Sequence, residues 1–442
     1  MSIFVDFENT VGKIKPFHAV NNAPIIGVSN KLFHFLTEAG VPYSRLHDTG
    51  GRFGGFTFVD IENIFRDMSA DPFDPDSYDF AFTDWLIAEL VRCGTEPFFR
   101  LGATIENEHF IKAYHIFPPK NNLKWAQICE GIIKHYNHGW ANGYRYNIKY
   151  WEIWNEPDNE PLIEDNPMWK GTMEQYFALY ETASNYLKER FPYIKIGGYA
   201  SCGFYALNDV FEKKANSSDR TEYFITFFQE FLKFITSPEH LSPLDFFSWH
   251  SYANSENNRY YCDYVRRELD KYGLYGTESI LNEWNPGTER RGTEADACYI
   301  SEMILSLHDK PLDMLMYYDG QVNGSYQGLF DPIRSDIFPA YFAIHSFGEL
   351  YRLKSQAEII SDGILPILAA ADGRIGKILT VNIKPETINL NLRLSDGWSF
   401  EKYRVLDGTE GLTETEIDFS GEIPIPPQKI VMIECKRERL LP

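Results

Sequence analysis

A chain of 442 residues, 44% hydrophobic and 24% charged, has the material for a sizeable core, and a barrel fold takes roughly 250 residues by itself. Its formal charge of −21 repels phosphate backbones and anionic membrane surfaces, which argues against nucleic-acid and membrane partners. The start, MSIFVDFENT, lacks a basic segment followed by an apolar one, and no run nears the roughly 20 apolar residues of a membrane span.

Six cysteines (Cys93, Cys129, Cys202, Cys262, Cys298 and Cys435) are scattered with no CxxC among them. They read as free thiols, and a cytoplasmic protein is expected; an exported chain with its signal trimmed would look the same. Aromatic residues make up 16% of the chain. Most belong to a core, and some are suited to line a pocket for a ligand with apolar faces and hydroxyl edges.

In chain order, short β-rich runs alternate with amphipathic helical stretches. PIIGV (24–28) is the first predicted strand, followed by a helix capped at Ser29 or Asn30 and stopped at Gly40. PYSRLHD (42–48) is the second. After a long aromatic excursion comes a helix near 81–93, then EPFFRLG (96–102), a helix near 122–137, and IKYWEIWNEP (148–157). A helix over 173–191 precedes KIGGYA (195–200). One over 221–235 precedes LDFFSWHSYA (244–253), and one over 261–273 precedes ESILNEW (278–284). A helix over 296–309 leads to DMLMYYDG (313–320), and one around 337–352 closes the series. Eight near-continuous apolar strands alternating with helices predict an α/β fold, a (β/α)8 TIM barrel, over residues 23–353. Beyond 353 the pattern alternates apolar and polar residues between turn signals, predicting a smaller antiparallel β-sandwich over 354–442. Residues 1–22 are expected to pair with that sandwich. Lys436, Arg437 and Arg439 read as a solvated basic tail.

Active sites of such barrels gather at the C-terminal strand ends. There the sequence places Arg45, His47 and Asp48, then Asn155 and Glu156, His250 and Tyr252, Asn282, Glu283 and Trp284, and Tyr317, Tyr318 and Asp319. Glu156 and Glu283 fall on the fourth and seventh strands, which face each other across a small barrel. Two facing carboxyls are what glycosidic cleavage needs, one protonated to assist the leaving oxygen and one ionised to attack the anomeric carbon. A gap of about 5–5.5 Å goes with retention of configuration. An apolar pocket around the acid is expected to raise its pKa, as to about 6 in lysozyme.

YWEIWNEPD and ILNEWN resemble the clan A glycoside hydrolases. YSRLHD, VDIENIFRD, GTEPFFRLG, WEIWNEPD and LDFFSWHSY come in the order and approximate spacing of glycoside hydrolase family 39, a resemblance covering roughly residues 1–350. The resemblance implies Glu156 as general acid/base and Glu283 as nucleophile. It places Asn155 on the sugar 2-hydroxyl, His47 at the innermost subsite, His250 beside the acid/base and Tyr252 holding the nucleophile. Trp284 is a sugar platform or core packing. Where the family's β-xylosidases carry a tryptophan and an acidic pair after the eighth strand, this chain reads MYYDGQVNGSYQGLFD. Tyr318 and Asp319 are expected to take over some of those contacts. Xylose is therefore a lean among α-L-arabinosides, β-galactosides and uronic acids. The excursion over 51–78, with Arg52, Phe53, Phe56 and Phe58, is expected to shape the subsites; Arg52 would meet a substrate carboxylate or lie solvated in its loop.

A glycoside is the expected partner, a homo-oligomer stays open, and neither a cofactor nor a metal is expected. A non-catalytic carbohydrate-binding barrel would have lost a carboxylate. A metal-dependent barrel hydrolase would need a ligand set such as HxH after the first strand, and no HxH occurs.

Overall fold

A computed structural model of the chain describes residues 1–26, 29–49, 59–105, 115–207, 218–322, 326–363 and 365–438. The excursion residues Arg52, Phe53, Phe56 and Phe58, and Arg439 of the tail, lie outside the described residues.

Eight parallel strands close into a barrel. After an N-terminal strand β1 (Ser2–Lys13), they are β2 (Ala19–Asn21), β3 (Tyr43–Leu46), β4 (Glu96–Leu101), β5 (Tyr150–Ile153), β6 (Lys195–Ser201), β7 (Phe246–Ser251), β8 (Glu278–Trp284) and β9 (Met314–Tyr317). Seven overlap the runs read as strands two to eight. The first does not: it lies at 19–21, before residue 23 and not at 24–28. The apolar run PIIGV was the stronger signal by composition, but the barrel uses a three-residue strand flanked by His18 and Asn22. Its Asn21 bonds across to Arg45 and to the Asn282 carbonyl.

Helices wrap the barrel at His34–Ala39, Ala81–Arg92, Asn122–His138, Met173–Arg190, Asp219–Ile235, Ser255–Lys271, Glu294–Leu307 and Tyr341–Leu353. Their ends follow local chemistry. Thr172 and Gln175 form a capping box at the start of Met173–Arg190, satisfying amides that the helix itself leaves unpaired. Gly40 takes φ +63 and closes His34–Ala39 through bonds to the Leu36 and Thr37 carbonyls, a conformation that costs glycine little. That helix begins at residue 34, so Ser29 and Asn30 do not cap it.

The barrel floor is plugged by Ala19, Phe98, Tyr150, Phe246, Ile280, Met314 and Met316. Outside it, one continuous apolar layer joins strands to helices. Inward side chains above the plug are polar, so the mouth is lined by hydrogen-bonding groups resting on a packed base.

A hairpin, β10 (Phe330–Asp331) and β11 (Asp336–Ile337), precedes the last helix. The remaining strands are β12 (Ser355–Ser361), β13 (Ile367–Ala371), β14 (Ile375–Asn382), β15 (Ile388–Leu394), β16 (Trp398–Asp407), β17 (Gly411–Glu414), β18 (Ile423–Ile425) and β19 (Lys429–Arg437). Together with β1 they run in the order β17-β16-β19-β14-β13-β12-β1-β15-β18. β1 pairs antiparallel with β12 and parallel with β15. The Tyr403 hydroxyl of β16 donates to the Pro424 carbonyl of β18, near the other end of that order. The sheet therefore folds over itself, enclosing Ile3, Val5, Leu390, Tyr403, Ile423 and Val431 in a second core. No helix among the described residues is long and apolar enough to cross a membrane.

The sandwich is pinned to the barrel by charge. Glu349, on the last barrel helix, accepts from Arg404 at 3.0 and 3.1 Å and from Lys377. Burial opposes its ionisation, but Arg404 and Lys377 hold the carboxyl down to about 2, against an ordinary 4.5. A depressed folded-state pKa gives stability that is complete above 4.5 and is lost as pH falls from there toward 2. Glu349→Gln is expected to cost roughly 2 kcal/mol at neutral pH and to remove part of the acid sensitivity. Thermal unfolding of both proteins between pH 2 and 7 tests this, and parallel curves would disprove it.

Candidate active site

The barrel interior carries opposite charges on strands two places apart. Arg45 of β3 and Glu152 of β5 are fully buried and meet at 2.8 Å. The Arg45 Nη1 also donates to the Asn21 Oδ1 at 3.2 Å and the Glu283 Oε2 at 3.3 Å, and Nη2 donates to the Asn155 Oδ1 at 2.5 Å. The other Glu152 oxygen accepts from the Asn282 Nδ2 at 2.6 Å. A planar guanidinium with five donors suits this branching, and a lysine ammonium does not. Arg45 thus fixes Asn155 and Glu283 from below. Its bond to the Asn155 oxygen leaves that side chain's amino group as the donor available to a ligand.

β5 ends abruptly after Ile153. Trp154 and Glu156 adopt φ +72 and +46, left-handed conformations that cost non-glycine residues about 1–3 kcal/mol each. Neighbours hold them there. The Trp154 amide donates to the Leu101 carbonyl at 2.8 Å, and the Glu156 amide to the Tyr199 and Ala200 carbonyls at 3.1 Å. The Trp154 indole donates to the Met168 carbonyl at 2.8 Å. Pro157 follows as the chain leaves the mouth. The turn delivers the Glu156 carboxyl to the rim, where Oε1 meets the His250 Nδ1 at 2.7 Å and Oε2 accepts from Asn159 at 2.7 Å.

Glu283 arrives from β8. The register between β7 and β8 shifts after Trp249, so Asn282 and Glu283 both serve the interior. The Glu283 Oε1 accepts from the Tyr252 hydroxyl at 2.6 Å, and His250 Nδ1 stands 3.5 Å from Oε2. Ligand atoms of Glu156, His250 and Glu283 lie within 4.8 Å of one another. These three are the grouping, among the described residues, that is close enough to hold a cation. The two carboxyls are too close for the inverting arrangement, whose separation of about 6.5–9.5 Å admits a water.

Their protonation is shared. Burial raises the Glu156 carboxyl, but His250, by hydrogen bond and charge, and Asn159 hold it below its ordinary range. Burial and then the facing Glu156 charge raise Glu283, against His250 and Arg45. Burial would depress the His250 imidazole, but Glu283 and Glu156 hold it above its usual value. The sequence leads to a raised pKa for Glu156, whereas His250 and Asn159 favour its ionised form. Its pocket is not apolar, because an imidazole and an amide point into it.

His47 is buried, with Nε2 3.2 Å from the Asp48 Oδ1. Burial, then Arg45 and Arg100, hold its imidazole well below the ordinary value, so it stays neutral. The Tyr318 hydroxyl donates to the Asp48 Oδ2 at 3.1 Å, and Gln321 donates to the Asp319 Oδ2 at 3.1 Å. Trp284 stands apart. It is wholly buried, edge-on to Tyr317 at 5.6 Å within the layer between strands and helices. Of its two expected roles, its position fits packing: it gives no face to a sugar.

In the sequence Asp48 and Arg45 stand at a strand end with no role implied for them, and the resemblance points to none of Glu152, Asn159 and Gln321. Arg45 and Glu152 had a readable signal: opposite charges inside two apolar runs, PYSRLHD and YWEIW, which must pair if both strands are buried. Asn159 and Gln321 lie in loops and had none.

A family model described as glycosyl hydrolases family 39 matches residues 6–354. A β-xylosidase of Caldicellulosiruptor saccharolyticus is 24% identical over 352 residues, which are 72% of this chain and 63% of that protein. The chain thus spans just under two thirds of that relative's length. Among solved structures, a glucosidase from Croceicoccus marinus aligns over 99% of both chains at 19% identity, with a TM-score of 0.76. A monomeric β-xylosidase from Caulobacter crescentus aligns over 99% of both at 16% identity and 0.68. These likenesses show the fold.

Arg45→Met takes from Glu152 its one cation, leaving it only the Asn282 amide among the described residues, and is expected to cost about 3–5 kcal/mol. Replacing both residues with Met is expected to recover much of that loss. Denaturant unfolding of both variants checks this, and a double variant no more stable than the single would refute it.

Proposed function

The chain belongs to glycosyl hydrolases family 39, and from that premise we propose that it is a retaining glycosidase in which Glu283 is the nucleophile and Glu156 the acid/base. The observation that carries this reading is the single imidazole, His250, within 2.7 Å of one carboxyl and 3.5 Å of the other.

In the first step, Glu283 attacks the anomeric carbon while the leaving oxygen takes a proton from Glu156. Arg45 and Tyr252 aim Glu283, each by a donor to a different oxygen. In the free site the proton resides on His250. The 2.7 Å bond lets it pass to Glu156 as the leaving oxygen approaches, which also removes the charge facing Glu283. Glu156, again a carboxylate, then activates the water that releases the glycosyl group from Glu283. The Asn155 amino group, oriented by Arg45, supplies a donor for the sugar 2-hydroxyl, a contact that strengthens in the transition state. A β-xyloside is the leading substrate, because the matched relative is named a β-xylosidase. α-L-Arabinosides, β-galactosides and β-glucosides are the next candidates.

Glu283→Ala is expected to abolish turnover of an aryl glycoside with the fold intact; undiminished hydrolysis would reject the assignment. Glu156→Ala is expected to spare nitrophenyl substrates relative to natural ones, since a good leaving group needs little protonation. Equal losses on both would exclude Glu156 as the acid. The first product, followed by NMR, is expected to keep the anomeric configuration of the substrate; inversion would exclude a nucleophilic Glu283. His250→Gln is expected to alter the pH profile of kcat/KM more than it raises KM, and an unchanged profile would remove His250 from the proton path.

A further inference from the structure

One wall of the mouth carries carboxyls that this mechanism leaves unused. It is built by β9, β2 and β3, and β9 stands four places round the eight-strand barrel from β5 and Glu156. Asp48 and Asp319 end that wall. Asp48 sits at φ +50. Its Oδ2 accepts from Tyr318, and its carbonyl accepts from the Gln321 Nε2 at 2.9 Å. The same Gln321 amide reaches the Asp319 Oδ2 at 3.1 Å. Tyr318 and Gln321 therefore hold both carboxyls in one frame.

Each carboxyl leaves one oxygen, Oδ1, buried without a hydrogen-bond partner among the described residues. The His47 Nε2 approaches the Asp48 Oδ1 to 3.2 Å without making such a bond. An unpaired buried acceptor is unfavourable until a donor meets it. The Asp48 side chain is 15% exposed, enough to meet the mouth, while Asp319 lies behind it at 1%.

The acid must stand beside the leaving oxygen, so the leaving group lies on the Glu156 side. Asp48 and Asp319 both feel the Glu283 charge, so on the glycosidase reading the sugar ring attacked by Glu283 has this wall beside it. We propose that Asp48, backed by Asp319, is the specificity-determining residue for that sugar, binding a hydroxyl of a neutral glycone and turning away a uronate. The proposal rests on the glycosidase reading above.

Charge around the wall agrees. Burial first, then the facing Glu283 charge, pushes Asp48 to about 7, and burial with the Asp48 and Glu283 charges pushes Asp319 to about 7. A carboxyl poised near neutrality both gives and accepts hydrogen bonds, as a hydroxyl needs, and a third carboxylate brought beside it meets like charge. The two buried arginines nearby do not offset this. Arg45 is committed to Glu152, Asn21, Asn155 and Glu283. Arg100 is wholly buried with Nη2 on Asp60 at 2.7 Å, and its charge opposes the rise at Asp48 without reversing it.

The test is kcat/KM on nitrophenyl β-D-xyloside, β-D-glucoside, β-D-galactoside, α-L-arabinoside and β-D-glucuronide for the wild type and Asp48→Asn. The wild type is expected to favour a neutral substrate over the glucuronide by about 100-fold or more, and Asp48→Asn to lower its rate on that substrate by about 10–100-fold, chiefly through KM, while narrowing the gap. A wild type that prefers the glucuronide, or an Asp48→Asn variant within about twofold of it on the neutral substrates, overturns the proposal and leaves the glycosidase reading standing. A wild type that cleaves none of the panel counts against that reading and this one together. Should Asp48→Asn fail to fold by thermal unfolding, Tyr318→Phe, which frees Asp48 from its tether, is expected to raise KM for the neutral substrate, and an unchanged KM overturns the proposal.

Discussion

A buried arginine needs partners for its charge and its donors or forfeits much of what folding gains. Here each of the three Arg45 nitrogens finds one, among Glu152, Asn21, Asn155 and Glu283. The same bonds that neutralise it orient two groups at the rim. Stability and site geometry are thus one requirement, imposed from inside the barrel. The packed floor beneath makes the arrangement rigid, since Phe98, Tyr150 and Phe246 leave the polar layer nowhere to sink.

The strain sits where that layer meets solvent. Asp48, Trp154, Glu156 and Ala200 all take left-handed backbone conformations, and all lie at or just beyond the upper ends of β3, β5 and β6. Each pulls a chain out of its strand direction within one or two residues. The Trp154 and Glu156 amides are each caught by carbonyls of the next strand over. Turns of this kind persist only when the surroundings over-determine them. The barrel supplies those surroundings, and the result is a carboxyl that cannot swing away from His250.

Much of this was readable beforehand. The strand ending in Trp284 has the same bounds in sequence and structure: Ile280 and Leu281 are too few for a helix face, and the turn residues on either side, Gly276 and Pro286-Gly287, bound the run. Glu156 and Glu283 fell at the ends of their strands, and the structure brings them together with His250 and Tyr252. The first barrel strand is hidden in the sequence because three residues with asparagine beside them do not look like a strand; only the pairing of Val20 with both Ser44 and Tyr317 makes them one. The protonation of Glu156 is not legible for a related reason. The apolar letters around WNEP describe its chain neighbours, whereas its charge is governed by His250, 94 residues away. Trp284 shows the converse: its letter suits a sugar platform, but the register shift in β8 turns it outward into the helices.

The position of β1 has a consequence for how the molecule is made. The strand Ser2–Lys13 lies inside the folded-over sheet, between β12 and β15, whose residues follow some 350 positions later in the chain. During synthesis it leaves the ribosome before any barrel strand, yet its partners are translated after all of them. Its apolar face, Ile3, Val5 and Phe7, therefore waits unpaired while the barrel forms. During synthesis the sandwich can close only after the barrel strands are made, when β12 and β15 reach β1 from either side.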